Sequence, residues 1–255
     1  MGILLTIAYD GTAYCGWQIQ QNALSVQEVL ERAITRKLTA NFTLLGASRT
    51  DAGVHALGQR VHVIADDIAI PAHKIPLVLN GCLPKDIRIM AAEYVDDCFH
   101  PINDAVSKVY TYSIFNSRVH NPLVRRHTAF VPFPLNVDKM AEAAIHFIGK
   151  HDFAAFCASG SSVKSTVRSL FDVSVSTAVT GSINGRTIDI TMHGDGFLYN
   201  MVRIIAGTLV NVGRGKLQPQ DVPNIIASRD RSLAGRTMPP EGLTLMEIFY
   251  NIGGN

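Results

Sequence analysis

Segments with strand periodicity and segments with helix periodicity follow one another along this chain without the regular strand–helix–strand alternation of a parallel sheet. Ile3–Tyr9 is a β-rich run closed by the turn pair Asp10-Gly11, and Gln59–Ala65 alternates, with Val61 and Val63 on one face and His62 on the other. Ser25–Ala40 has helical spacing instead: Val26, Val29, Leu30, Ala33, Ile34 and Leu38 make one apolar face, Ser25 and Glu28 have capping-box spacing, and Leu24 with Val29 can staple the first turn. Short strands are expected over Thr43–Leu45, Ile87–Val95, Lys108–Phe115, Val167–Thr177, Thr187–His193 and Leu243–Tyr250. Helices are expected over Ile75–Leu83, from the cap Asn136 through Ile148 to a stop at Gly149, over Leu198–Val212 up to Gly213, and briefly after Pro219. Two of the strands read as a hairpin across Gly181–Gly185. Hairpin joins among helices point to an α+β fold with a mixed, mainly antiparallel sheet and flanking helices.

Pro101 interrupts the pattern near Phe99–Ala105, so residues 1–105 and 106–255 are read as two similar halves. With 255 residues, 47% of them hydrophobic and 17% charged, the chain can bury a full core. The net charge of +2 permits a nucleic-acid partner without arguing for one, because a local basic face fits inside a near-neutral total. Cys15, Cys82, Cys98 and Cys157 form no C-x-x-C pair, which argues against structural zinc and a disulfide framework and for free thiols in a reducing compartment. The opening residues lack a basic leader, and no apolar run approaches the ~20 residues of a membrane span. The expected location is the cytoplasm.

The loop Gly46–His55, between two strands, is dense in polar groups. Its core is Arg49-Thr50-Asp51-Ala52-Gly53-Val54-His55. On local chemistry alone, an aspartate flanked by Thr50 and Ala52, near Gly53, is usually an Asx-turn residue; Arg49 and His55 nearby raise the functional reading. Arg203 is a cation in the otherwise apolar helix Leu198–Val212, whose stripe is Leu198, Met201, Val202, Ile205 and Leu209, and Asn200, Arg203 and Gly207 share another face. Basic residues gather at Arg118, His120, Arg125, Arg126 and His127, and again at Arg229, Arg231 and Arg236; such runs are solvated faces unless a polyanion is the partner.

The R-T-D-A-G-V-H string resembles the catalytic motif of the tRNA pseudouridine synthase A family. The likeness covers nearly the whole chain: Tyr9-Asp10-Gly11-Thr12 with Gly16-Trp17-Gln18 at the start; Lys108, Tyr110 and Tyr112 as a K-x-Y-x-Y strand; His151-Asp152-Phe153 with Phe156; Lys164, Thr166 and Arg168; Gly196 to Arg203 at the helix opening; and Gly235-Arg236-Thr237 with Pro239-Pro240 and Gly242-Leu243 at the close. The resemblance implies the pseudouridine synthase fold, two halves around a catalytic cleft, working as a homodimer. It implies conversion of uridine to pseudouridine at positions 38, 39 and 40 of the tRNA anticodon stem-loop, with no cofactor and no metal. By the same resemblance Asp51 is the nucleophile, Tyr110 lies against the target base and acts in proton transfer, and Arg203 pairs with Asp51. Arg49 helps displace the base. His55 either touches RNA or, as a loop histidine, satisfies a backbone group, and given an RNA substrate Arg125 and Arg126 become candidate phosphate contacts. Two positions depart from the family: Phe99-His100-Pro101-Ile102 lacks an expected arginine at Ile102, and Met238 replaces a small residue. The rival classes are an RNA-binding protein on the same scaffold, for which an intact Asp51, Tyr110 and Arg203 set is unneeded, and a nucleoside hydrolase, which calls for a metal or paired carboxylates.

Overall fold

A computed structural model describes residues 2–65, 68–160, 163–179 and 185–251. In chain order the elements are β1 (Gly2–Tyr9), α1 (Val26–Lys37), β2 (Thr43–Gly46), β3 (His55–Ile64), α2 (Ile75–Asn80), β4 (Ile87–Val95), β5 (Ala105–Ser117), β6 (Ala129–Val131), α3 (Val137–Ala144), β7 (Gly149–Asp152), β8 (Val167–Val179), β9 (Gly185–Gly194), α4 (Met201–Gly213), α5 (Asp221–Ser228) and β10 (Leu243–Tyr250). The chain forms two compact units, Met1–Val106 together with Thr244–Asn255, and Ser107–Leu243. No helix among the described residues is long and apolar enough to cross a membrane.

In the first unit β1 lies between β4 and β3, antiparallel to both, and β3 also pairs with β2 and, in parallel, with β10. Ile3, Leu4 and Leu5 are all buried, so both faces of β1 are covered and it reads as a continuous apolar run. The same holds for β3: His62, on the face opposite Val61 and Val63, is 0% exposed and packs edge-on against Phe99, ring centroids 5.6 Å apart. Phe99 in turn meets Tyr250 at 5.1 Å, so this aromatic cluster covers the His62 face of β3. The Ser25 hydroxyl accepts from the Glu28 N–H at 3.2 Å and opens α1, whose Val26, Leu30, Ala33 and Ile34 are buried.

In the second unit the strand order is β5-β9-β8-β7, all antiparallel, with β6 parallel to β5. Residues 180–184, which hold most of the hairpin join, lie outside the described residues. Tyr112, Phe115, Phe147, Phe153 and Phe156 are fully buried and form the heart of this unit's core. The helix expected through Ile148 ends at Ala144, tightens into a 3-10 turn over Ile145–Phe147, and gives way at Gly149, whose φ of +110° is open to glycine. Helix α4 starts at Met201 rather than Leu198 because Asn200 adopts a left-handed conformation, φ 61°. Its stripe is buried as expected, but the burial extends almost all round, Gly207 included.

Candidate active site

Asp51 sits in the loop between β2 and β3, and segment 9–17 holds that loop from several sides. Tyr9 Oη and Thr50 Oγ1 share a buried hydrogen bond of 2.7 Å, the Trp17 N–H donates to the Thr50 carbonyl at 3.0 Å, and the Gly53 N–H donates to the Tyr14 carbonyl at 3.3 Å. Gly16 and Asp51 form an antiparallel bridge. The approach depends on glycine: a Cβ on Gly11 would lie 2.0 Å from the Val54 carbonyl oxygen, and one on Gly16, at φ +105°, 2.5 Å from that of Thr50. Tyr9 and Trp17 stack at 6.2 Å beneath. From the β3 side the buried Gln59 amide donates to the Ser48 carbonyl at 2.6 Å and accepts from the Arg60 N–H at 3.2 Å. The Asp51 backbone is thus held on both flanks, and its side chain is half-buried.

Arg49, two residues earlier, is exposed, free of the packing that confines Thr50. His55 is 3% exposed, and its Nδ1 accepts from the Gly11 N–H at 3.0 Å, the backbone-satisfying arrangement of a loop histidine. Nδ1 also lies 3.2 Å from an Asp10 carboxylate oxygen. One nitrogen cannot accept from Gly11 and donate to Asp10 at once. The Gly11 N–H takes the Nδ1 lone pair, and Asp10 Oδ1 accepts from the Thr12 N–H at 3.0 Å and hydroxyl at 2.5 Å. His55 therefore ties the start of β3 to segment 9–17, a holding role.

In the second unit Tyr110 lies on β5 opposite Met192, 7% exposed, with its ring edge-on to Phe197 at 5.1 Å. Tyr112 shares its face but is spent on structure: it is 0% exposed, donates to the Pro239 carbonyl at 2.8 Å, and burial pushes its hydroxyl well above the usual phenol range. Lys108 is the third member of this period-two set, and desolvation brings its ammonium down to about 8. Spacing puts these three side chains on one face; nothing in the sequence shows that the lysine loses its water.

Arg203 is half-buried and immobilised within this unit. Its Nε donates to the Met238 carbonyl at 2.7 Å and its Nη1 to Asn200 Oδ1 at 2.6 Å. Met238 is 0% exposed. The Asp152 carboxylate, in the H-D-F segment, caps its own turn through Thr166 Oγ1 at 2.5 Å and the Ala154 N–H at 3.2 Å; the Thr166 bond, more than any other contact, holds it below the usual carboxylate range. That segment is structural, with Phe153 and Phe156 in the core.

Arg125 and Arg126 are exposed on a turn that Asn121 organises through the Leu123 N–H, 3.0 Å from its side-chain oxygen. Arg118 is exposed too, whereas Arg229 pairs with Asp152 at 2.9 Å. Ile102, where an arginine was expected, is exposed at 49% on a turn fixed by His100 and Asp104. Sequence reasoning missed the supporting residues, namely Gln59 beneath the loop and the Met238 backbone against Arg203. The one available hint was that they lie near the motif strings.

A family model described as tRNA pseudouridine synthase matches residues 5–102 and 143–251. A protein of Geotalea daltonii named tRNA pseudouridine synthase A is 47% identical over 248 residues, which is 97% of this chain and 99% of the relative. Proteins of the same name from Thermoanaerobacter sp. (strain X514) and Caldicellulosiruptor bescii are 46% and 42% identical over the same shares.

Proposed function

Because the chain belongs to the tRNA pseudouridine synthase family, we propose that it isomerises uridine to pseudouridine at positions 38, 39 and 40 of the tRNA anticodon stem-loop. The observation that carries this is the match over nearly the whole chain to relatives of that name, together with an Asp51 loop braced on both flanks. The reaction breaks the N1–C1′ bond, turns the uracil, and forms C5–C1′; N1 gains a proton and C5 loses one, so nothing is consumed. Asp51 is the nucleophile. Whether it adds at C1′ or assists removal of a sugar proton, an ionised carboxylate is required, and a carboxylic acid of ordinary pKa ~3.9 is ionised at neutral pH.

Tyr110 lies against the target base and acts in proton transfer, and Arg203 supplies the cation that keeps the carboxylate charged and oriented. A stacked base costs a few kcal/mol to extrude. Arg49, exposed beside the nucleophile, fits the role of filling the vacancy, and Arg125 and Arg126 fit phosphate contacts. The same reading takes the protein as a cytoplasmic homodimer that needs no cofactor or metal.

The test uses tRNA transcript tritiated at uracil C5, with wild-type protein and Asp51→Asn in parallel. Isomerisation displaces the C5 hydrogen, so wild type should release tritium, and the variant, which changes charge and not size, should bind tRNA and release none. Release by Asp51→Asn would overturn the assignment of the nucleophile. Tight binding without release by wild type would return the chain to the RNA-binding class.

A further inference from the structure

At the end of α4, a cavity of about 290 Å³ is lined by three segments distant in sequence: Val131, Pro132 and Phe133; Gly207, Val210, Asn211, Arg214 and Lys216; and Arg236. Three cations face it and no carboxylate does. Arg214 alone would be unremarked, since a cation at a helix C-terminus answers the helix dipole. Arg236, however, comes from the closing segment, and its backbone is pinned to α4: a Cβ on Gly207 would sit 2.0 Å from the Arg236 carbonyl oxygen, and one on Gly235 2.3 Å from the Gly207 carbonyl carbon. The Gly235 N–H also donates to the buried Thr208 hydroxyl at 2.8 Å. Gly215, at φ +74°, turns the chain so that the Lys216 N–H folds back on the Asn211 carbonyl at 2.9 Å.

The chemistry of the lining selects its ligand. The Arg214 guanidinium lies over the Phe133 ring, 4.1 Å from its centroid. A guanidinium held over a ring keeps its N–H donors, the groups that grip phosphate oxygens in pairs. Neither Lys216 nor Arg236 makes a side-chain hydrogen bond or ion pair among the described residues. Asn211 adds a neutral amide. Three like charges held around one hollow repel one another, and a bound anion relieves that repulsion.

We propose that this cavity is a phosphate site that takes a backbone phosphodiester of the tRNA. The proposal rests on the reading of the chain as a tRNA-modifying enzyme. The site carries no base information; it fixes where the RNA lies, as phosphate contacts do.

The test compares wild type with the Arg214→Gln/Lys216→Gln double variant, two exposed positions whose change leaves the core intact. Affinity for unmodified tRNA is measured over a series of salt concentrations, and tritium release at saturating tRNA is followed in parallel. Losing one phosphate contact should weaken binding about tenfold at low salt and flatten the log–log salt slope by about 0.7 to 0.9, with tritium release at saturation unchanged. Unchanged affinity and slope would overturn the proposal, even if wild type isomerises uridine normally. A flattened slope with no tritium release by wild type would instead sink the proposed activity and leave the site standing. Titration with pyrophosphate separates the sources: if the double variant loses pyrophosphate binding but keeps full tRNA affinity and slope, the cavity serves a free phosphate compound and the RNA assignment falls.

Discussion

Arg203 and Met238 exchange two hydrogen bonds: the Arg203 Nε donates to the Met238 carbonyl at 2.7 Å, and the Met238 N–H donates to the Arg203 carbonyl at 3.2 Å. The exchange fixes the guanidinium to a backbone rather than to a mobile side chain, and Asn200 Oδ1 takes a second edge at 2.6 Å. Lysine keeps the charge but is a point donor that cannot hold both partners in one plane. Arg203→Lys should therefore lower turnover by about 10²-fold, the order expected when a catalytic group is misplaced by an ångström, while tRNA affinity stays within about twofold of wild type. Single-turnover tritium release and filter binding check this; wild-type turnover in the lysine variant would show that charge alone suffices.

The brace under the catalytic loop makes a second prediction. Tyr9→Phe leaves the Thr50 hydroxyl buried without its 2.7 Å partner, a loss of about 1–3 kcal/mol in stability. Because Thr50 precedes Asp51, turnover should fall as well, with tRNA affinity unchanged. Thr50→Val should do the same, and the double variant should cost little more than either single change, as expected for two ends of one bond. Urea unfolding of the three variants beside their rates is the measurement. Additive losses would mean that the two residues act separately.

The two tyrosines of β5 should separate stability from chemistry. Tyr112→Phe removes the bond to the Pro239 carbonyl and should cost about 1 kcal/mol of stability with little effect on turnover. Tyr110→Phe keeps the edge-on contact with Phe197, while loss of a proton-transfer group should slow turnover by about 10² to 10⁴, far more than the Tyr112 variant does. The same pair of variants with their effects exchanged would transfer the catalytic role to Tyr112.

The extent to which this was legible in sequence follows from the range of the interactions. Strands β4 and β10 match the expected bounds, and Ser25 caps α1 as its spacing with Glu28 implies, because these depend on residues a few positions apart. What covers His62 and His55 was not legible, for one reason: alternation assigns a face but says nothing of what covers it, and Phe99, Tyr250 and segment 9–17 come from elsewhere in the chain. The return of β10 to pair with β3 in the first unit is a long-range event without a local signal. Asp51 and Tyr110 became candidates through motif strings, and Arg203 also through its place as a cation in an apolar helix. Met238, noted only as a departure from the family, holds Arg203 through backbone atoms that any residue supplies, so its side chain gave no sign of that role.

Lys108 offers a pH-dependent test of the site. Its ammonium titrates at about 8, below the ordinary 10.5, because burial disfavours the charged form. Below pH 8 the folded and unfolded chains both hold the proton, and the cost of burying the charge is present in full. Between pH 8 and 10.5 the folded protein has released the proton while the unfolded chain keeps it, so stability rises with pH across this window and the cost is gone above it. The stability of wild type relative to Lys108→Met should therefore rise between pH 8 and pH 10.5, read as the difference of their urea midpoints. An equal difference at pH 7 and pH 10.5 would rule out burial of the charge as the cause. Turnover gives a second readout: Lys108 lies on the same strand face as Tyr110, so the methionine variant should isomerise uridine more slowly at neutral pH, and equal rates for the two proteins would show that the charge takes no part.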